Sequence, residues 1–358
     1  MIAAALLLAE LGARALGLVP GRVAHPWHLE CPSKRHGIDV YPSNPRGAFD
    51  LDLRDEATFA RLHGLGIPRL ELARARTPFA VEQRYNAELC RDREIGARDP
   101  AEQRVLVVGD SFTEGQGVRQ EATFARRLES LLRDRGRAVE VVNCGRRGYD
   151  FPGLFDFFEP RLERYAPDAV LYAMILNDPV QSEVFHAQQA FLDDWILARR
   201  RMIRPEEPLD AGPAWYVPRL WLAIEERLEA REVGRATRRW YRDMVGEPNA
   251  AGWRQTVELV CRMQARCRER GARFAVALLP LFVGLEGDYP FAGVHETIGR
   301  AFTARNLRFH DTLPAFRGRQ SASLWVHPFD RHPNEEAHSR IAAELAPLVE
   351  RLLGEAGP

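Results

Sequence analysis

The chain has 358 residues, 46% of them hydrophobic, and its 50 basic and 50 acidic side chains leave no net charge. That length can bury a large core and suits a sizeable enzyme better than a small binding module, and the balanced charge argues against nucleic acid as a partner. Five cysteines, Cys31, Cys90, Cys144, Cys261 and Cys267, are too few and too scattered for a disulfide framework.

The first twenty residues, MIAAALLLAELGARALGLVP, look like part of a membrane anchor or signal. The unbroken apolar run ends at Glu10 and Arg14 interrupts the remainder, so the stretch is too short to span convincingly. An amphipathic helix packed on the protein is the other reading. Residues 25–100 are rich in proline, glycine and short mixed runs such as YPSNPRGAFDLDLR, which predicts turns and short strands in a β-rich accessory region.

From residue 101 strand-like and helical patterns alternate. The apolar run RVLVVG, from Arg104 to Gly109, ends in a small turn that presents Ser111. Ligands of open α/β sheets bind outside the carboxyl ends of the strands, so that serine is a candidate nucleophile. The alternative is a plain strand-to-helix turn in which Asp110 or Ser111 caps the next helix. Thr113 stands where a Gly-x-Ser-x-Gly elbow would have its second glycine, and neither a phosphate loop nor a dinucleotide fingerprint fits.

A second buried run, VEVVNCG, leads into a turn with Gly145 and Gly148, where a glycine lets backbone N–H come close to a ligand. A third, AVLYAMILND, stops at Asn177-Asp178, and an asparagine amide at a strand end can donate to a developing oxyanion. Helices are expected at 121–135, 153–166, 253–270, 294–305 and 334–353, with further strands at 273–279 and 307–310, which predicts a five-stranded parallel sheet with helices on both faces. Residues 180–251, with Trp195, Trp215, Trp221, Trp240 and many arginines, interrupt this alternation as a mostly helical lid or platform. Aromatic rings and arginines there suit an acidic or acylated glycan, and equally the small core of a helical insertion or a partner surface.

Near the C-terminus FDRHPNEEAH places Asp330 and His332 on the loop entering the last helix. His327, His332 and His338 also raise a metal site. Their spacing repeats no i, i+4 ligand pair and no HExxH or paired CxxC accompanies them, so no metal is expected.

Taken together, Gly109-Asp110-Ser111, Asn143 to Gly148, Asn177-Asp178 and Asp330-Arg331-His332-Pro333-Asn334 resemble the four blocks of the SGNH (GDSL-like) hydrolase superfamily. The resemblance runs from about Arg104 to the C-terminus. It implies a three-layer α/β/α, flavodoxin-like fold with Ser111 as nucleophile, His332 as general base and Asp330 as the carboxylate that orients it. It also implies an oxyanion hole of the Ser111 and Gly148 backbone N–H groups and the Asn177 side chain. Ile175 replaces the glycine usual in the third block, and Asp330 is one residue closer to His332 than in the common Asp-x-x-His arrangement.

The resulting expectation is a serine esterase for O-acyl, chiefly O-acetyl, esters on a carbohydrate or extracellular glycan, with no cofactor. An O-acyltransferase on a polysaccharide and a catalytically idle glycan-binding or assembly protein are the alternatives. Similar proteins often carry an N-terminal membrane segment, so an exported or anchored location is expected over a cytoplasmic one. The domain division expected is 1–20, 25–100 and a hydrolase domain over 101–358 with the insertion at 180–251.

Overall fold

The computed structural model describes residues 2–15, 38–42, 80–187, 216, 218–327 and 330–354. The chain divides into two compact units. One comprises Arg35–Asp39, Val81–His186 and Tyr241–Pro358, and the other Met1–Lys34, Val40–Ala80 and Ala187–Trp240.

In the second of these lie α1 (Ile2–Ala15) and most of α5 (Arg219–Asp243). Glu10 on α1 accepts from the backbone N–H groups of Arg219 and Leu220 at 2.9 and 2.8 Å, a side-chain cap for the start of α5. No helix among the described residues is long and apolar enough to cross a membrane. Trp195 and Trp215 of the expected lid lie outside the described residues, as does most of the expected β-rich region, of which β1 (Ile38–Pro42) and β2 (Ala80–Arg84) are described.

The larger unit is built on five parallel strands, β3 (Gln103–Gly109), β4 (Val139–Gly145), β5 (Ala169–Met174), β6 (Arg273–Leu278) and β7 (Phe309–Asp311). Their order across the sheet is β4-β3-β5-β6-β7. Each reads as a short apolar run because side chains on both faces of a parallel sheet are covered by helices, and Val105 to Val108 and Ala169 to Met174 are fully buried.

Right-handed crossovers fix where the helices go. The connection from β3 to β4 through α3 (Phe124–Asp134) runs one way across the sheet. Those through α4 (Phe151–Tyr165), α6 (Ala250–Glu269) and α7 (Ala292–Thr303) run the other way, so they take the opposite face. The last helix, α8 (Glu335–Gly354), packs on α3 and buries Ile341, Leu345 and Leu348. The result is the three-layer α/β/α architecture that the alternation predicts, with all five expected helices within a few residues of their expected bounds.

His338 is structural. Buried on α8, it accepts from the Phe124 backbone N–H at 3.0 Å and stacks on the Phe124 ring, and burial pulls its imidazole down to about 3, so it serves as a neutral acceptor.

Two expectations are corrected here. Cys90 and Cys144 form a disulfide, tying the segment after β2 to the end of β4. Spacing in sequence carries no information about this pair, because the two cysteines lie 54 residues apart and meet only when the segment folds over the sheet edge. Both cysteines are fully buried. His332 is on a strand rather than a loop: β9 (Asp330–Pro333) pairs antiparallel with β8 (Trp325–His327), and Asn334 then accepts from the backbone N–H groups of Glu336 and Ala337 to start α8.

Because the bridge closes a long loop, the double variant Cys90→Ala/Cys144→Ala should be less stable by about 2–4 kcal/mol in urea unfolding, on the chain-entropy account. Unchanged urea midpoints for oxidised parent and double variant would show that the surrounding packing already restrains the loop.

Candidate active site

The local structure at Ser111 follows from its neighbours. Gly109 closes β3 where there is no room for a side chain: a Cβ there would stand 2.5 Å from the Ala173 carbonyl and 2.2 Å from Thr113 Oγ1. Asp110 is the N-cap of α2 (Ser111–Glu114), its carboxylate accepting from the Phe112 N–H at 2.9 Å. Asp110 therefore caps this turn, and Ser111 is the first helical residue, its hydroxyl not used by the cap. One turn later the chain leaves the helix at Gly115, whose φ of +81° and lack of space (a Cβ would lie 2.6 Å from Thr123 Cγ2) both require glycine.

His332 reaches this hydroxyl from β9. Its Nε2 is 2.9 Å from Ser111 Oγ, across a sequence separation of 221 residues. The ring also meets Phe112 edge-on, with centroids 5.4 Å apart, and the amide Nε2 of Gln116 lies 3.4 Å from Nδ1. Ser111 Oγ has a second acceptor, Asp110 Oδ2, at 3.1 Å. A hydroxyl has one proton to give, so the shorter contact to the imidazole and the longer one to the carboxylate compete for it.

Gly148 and Asn177 are placed by topology. β4 and β5 flank β3 in the sheet, with Gly145 and Ala173 in register with Gly109, so the turns that follow them open at the same carboxyl edge as Ser111. Gly148 lies in the first of these turns with φ +74°, and the turn is fixed by the Arg146 N–H donating to the Gly109 carbonyl at 2.8 Å. Asn177 is exposed in the second, while Ile175, which takes the place of glycine there, is buried with its N–H on Asp178 Oδ2 at 3.0 Å. Asp330 stands on β9 opposite His327; the side chains of both lie outside the described residues.

Beneath the serine is a buried polar floor that sequence reading does not reveal. Asp178 accepts from the Tyr172 hydroxyl at 2.7 Å, and burial, then the charge of Asp110, holds its carboxyl well above the usual carboxylate range. Burial likewise raises the Asp110 carboxyl to about 6. Arg91, fully buried, donates to the carbonyls of Glu114, Gly115 and Val118 and so clamps the end of α2; desolvation lowers its guanidinium to about 10. Glu114 is held in turn by the Tyr85 hydroxyl at 2.7 Å and by Arg147 at 3.4 Å. Glu114 sits inside the segment that singles out Ser111, yet its partners Tyr85, Arg91 and Arg147 come from elsewhere in the chain. Among the described residues no group of three or more His, Cys, Asp or Glu is placed to hold a metal ion.

A model of the GDSL-like Lipase/Acylhydrolase family matches residues 107–340 of the chain. A search of curated proteins returns no match. Among solved structures the chain is similar to TesA, at 17% identity and TM-score 0.40 over 70% of this chain and 99% of that one. It is also similar to Axe2, an acetylxylan esterase from Geobacillus stearothermophilus, at 16% identity and TM-score 0.40 over 71% and 95%. A third is the psychrotrophic esterase EstA from Pseudoalteromonas sp., at 15% identity and TM-score 0.39 over 71% and 100%.

Proposed function

The chain belongs to the GDSL-like lipase/acylhydrolase family, and on that premise we propose that it is a serine esterase hydrolysing O-acyl esters through an acyl-enzyme on Ser111. The observation that carries the reading is the 2.9 Å approach of His332 Nε2 to Ser111 Oγ at the carboxyl edge of the sheet.

His332 takes the hydroxyl proton as Ser111 Oγ attacks the ester carbonyl carbon. The negative charge that develops on the carbonyl oxygen is held by the N–H groups of Ser111 and Gly148 and the side-chain amide of Asn177, each such donor lowering the barrier by about 3 kcal/mol. Collapse of the tetrahedral intermediate breaks the bond to the alcohol, which leaves with the proton from His332. Water, deprotonated by the same imidazole, then releases the acid and restores the serine. Asp330 is assigned the role of orienting the ring and stabilising its cationic form.

The finer reading, an O-acetyl group on a carbohydrate or extracellular glycan, draws on the tryptophans and arginines of residues 180–251; Trp221 on α5 is exposed.

A fluorophosphonate tests the nucleophile directly, since only an activated serine displaces its fluoride to form a phosphorus–oxygen bond. One adduct is expected, on the tryptic peptide containing Ser111, and it should be absent when His332 is alanine. Labelling elsewhere, or none in folded protein, would reject Ser111 as the nucleophile.

A further inference from the structure

The turn that carries Gly148 begins with two arginines whose surroundings are opposite in kind. Arg147 is turned inward, its Nε 3.4 Å from Glu114 Oε2 and its Nη2 3.4 Å from the Tyr85 hydroxyl, so its charge has a protein partner. Arg146 is half-buried and faces aromatic rings instead, with its Cζ 5.1 Å from the centroid of Tyr85 and 5.8 Å from that of Tyr149. Its guanidinium makes no hydrogen bond or ion pair with any described residue.

The rings restrict where the group sits and partly offset its desolvation, but they bring no negative charge, and neither phenol oxygen accepts a hydrogen bond from it. The position is fixed from below as well. The Arg146 backbone N–H donates to the carbonyl of Gly109, two residues before Ser111, and Tyr85 is held by its bond to Glu114. Tyr149, with 41% of its surface exposed, keeps the feature open to solvent. A guanidinium carried by the turn that is tied to the end of β3, with no acidic partner among the described residues, has its donor fork available to a ligand. The complementary group is a planar carboxylate that accepts from the fork in bidentate fashion.

We propose that Arg146, framed by Tyr85 and Tyr149, is a substrate-recognition residue that binds a carboxylate on the ester substrate beside the scissile bond. The inference rests on the placement of catalysis at Ser111 and names the substrate class of that site: esters that also carry a carboxylate, on either the acyl or the alcohol side.

Two matched pairs separate these sources. Mono-p-nitrophenyl adipate against p-nitrophenyl hexanoate places the charge on the acyl group, and acetylated methyl glucuronoside against acetylated methyl glucoside places it on the alcohol. The parent should prefer the anionic member of one pair by kcat/KM, and Arg146→Ala should reduce that preference at least about tenfold, the scale of a charge-assisted hydrogen bond. Arg146→Lys, which keeps charge without the fork, should recover part of it.

The same four compounds are titrated calorimetrically against Ser111→Ala with and without Arg146→Ala, so binding is read even if turnover is not. Equal preference in parent and Arg146→Ala, or equal binding with and without the arginine, would overturn the proposal. Turnover that survives in Ser111→Ala would reject the serine mechanism instead, and the calorimetry would still decide the role of Arg146.

Discussion

Ser111→Ala and His332→Ala should each lower kcat for p-nitrophenyl acetate by about 10⁴-fold or more, with circular dichroism and unfolding midpoints close to those of the parent. The size of the effect follows from the proposed chemistry. Alanine at 111 leaves no oxygen to form the acyl-enzyme, and alanine at 332 leaves the hydroxyl unactivated. Neither change should unfold the protein, because both side chains are partly exposed at the sheet edge and the α2 cap is supplied by Asp110 rather than by Ser111.

The two residues act on one step, so the double variant should be hardly worse than either single one. Independent, multiplicative losses would mean that serine and histidine do not work as a unit. Turnover equal to the parent in either folded variant would remove that residue from the mechanism. Running the same assay with longer acyl chains on the parent would rank the acyl groups the cleft accepts.

Gly145→Ala should also be damaging, through geometry rather than chemistry. A Cβ on Gly145 would lie 2.1 Å from the backbone nitrogen of Glu114 and 2.4 Å from the carbonyl carbon of Thr113. Both are main-chain atoms of α2, which cannot swing aside as the tip of a side chain can. Either β4 or α2 must move. The clamp of Arg91 on the Glu114, Gly115 and Val118 carbonyls resists one movement, and the largely buried pairing of β3 with β4 resists the other.

Overpacking of this kind costs about 1–3 kcal/mol of stability. A displacement of the nucleophile approaching 1 Å lowers kcat by a further factor of about 10². The expected result is thus a folded, moderately destabilised protein with kcat reduced about 100-fold or more and a smaller change in KM. Parent-like kcat in Gly145→Ala would show that the sheet and α2 adjust without moving Ser111.

Much of this arrangement is legible in the chain itself, for a physical reason. A parallel strand covered on both faces has to be an unbroken apolar run, and a turn at its end has to be small, so Arg104 to Gly109 and Ala169 to Met174 declare themselves locally. Helix periodicity likewise gives α3, α4, α6, α7 and α8. Ser111, Gly148, Asn177, Asp330 and His332 stand out because each falls where such an element begins or ends.

What only the folded structure decides is every relation between residues far apart in sequence. The disulfide of Cys90 with Cys144, the seating of Arg91 under α2, the ring of His338 under Phe124, and the opposite surroundings of Arg146 and Arg147 are all of this kind. So is the short strand that carries His332. Composition and periodicity report how each segment meets water, whereas which buried polar group finds which partner depends on the strand order and on the three-dimensional packing it imposes.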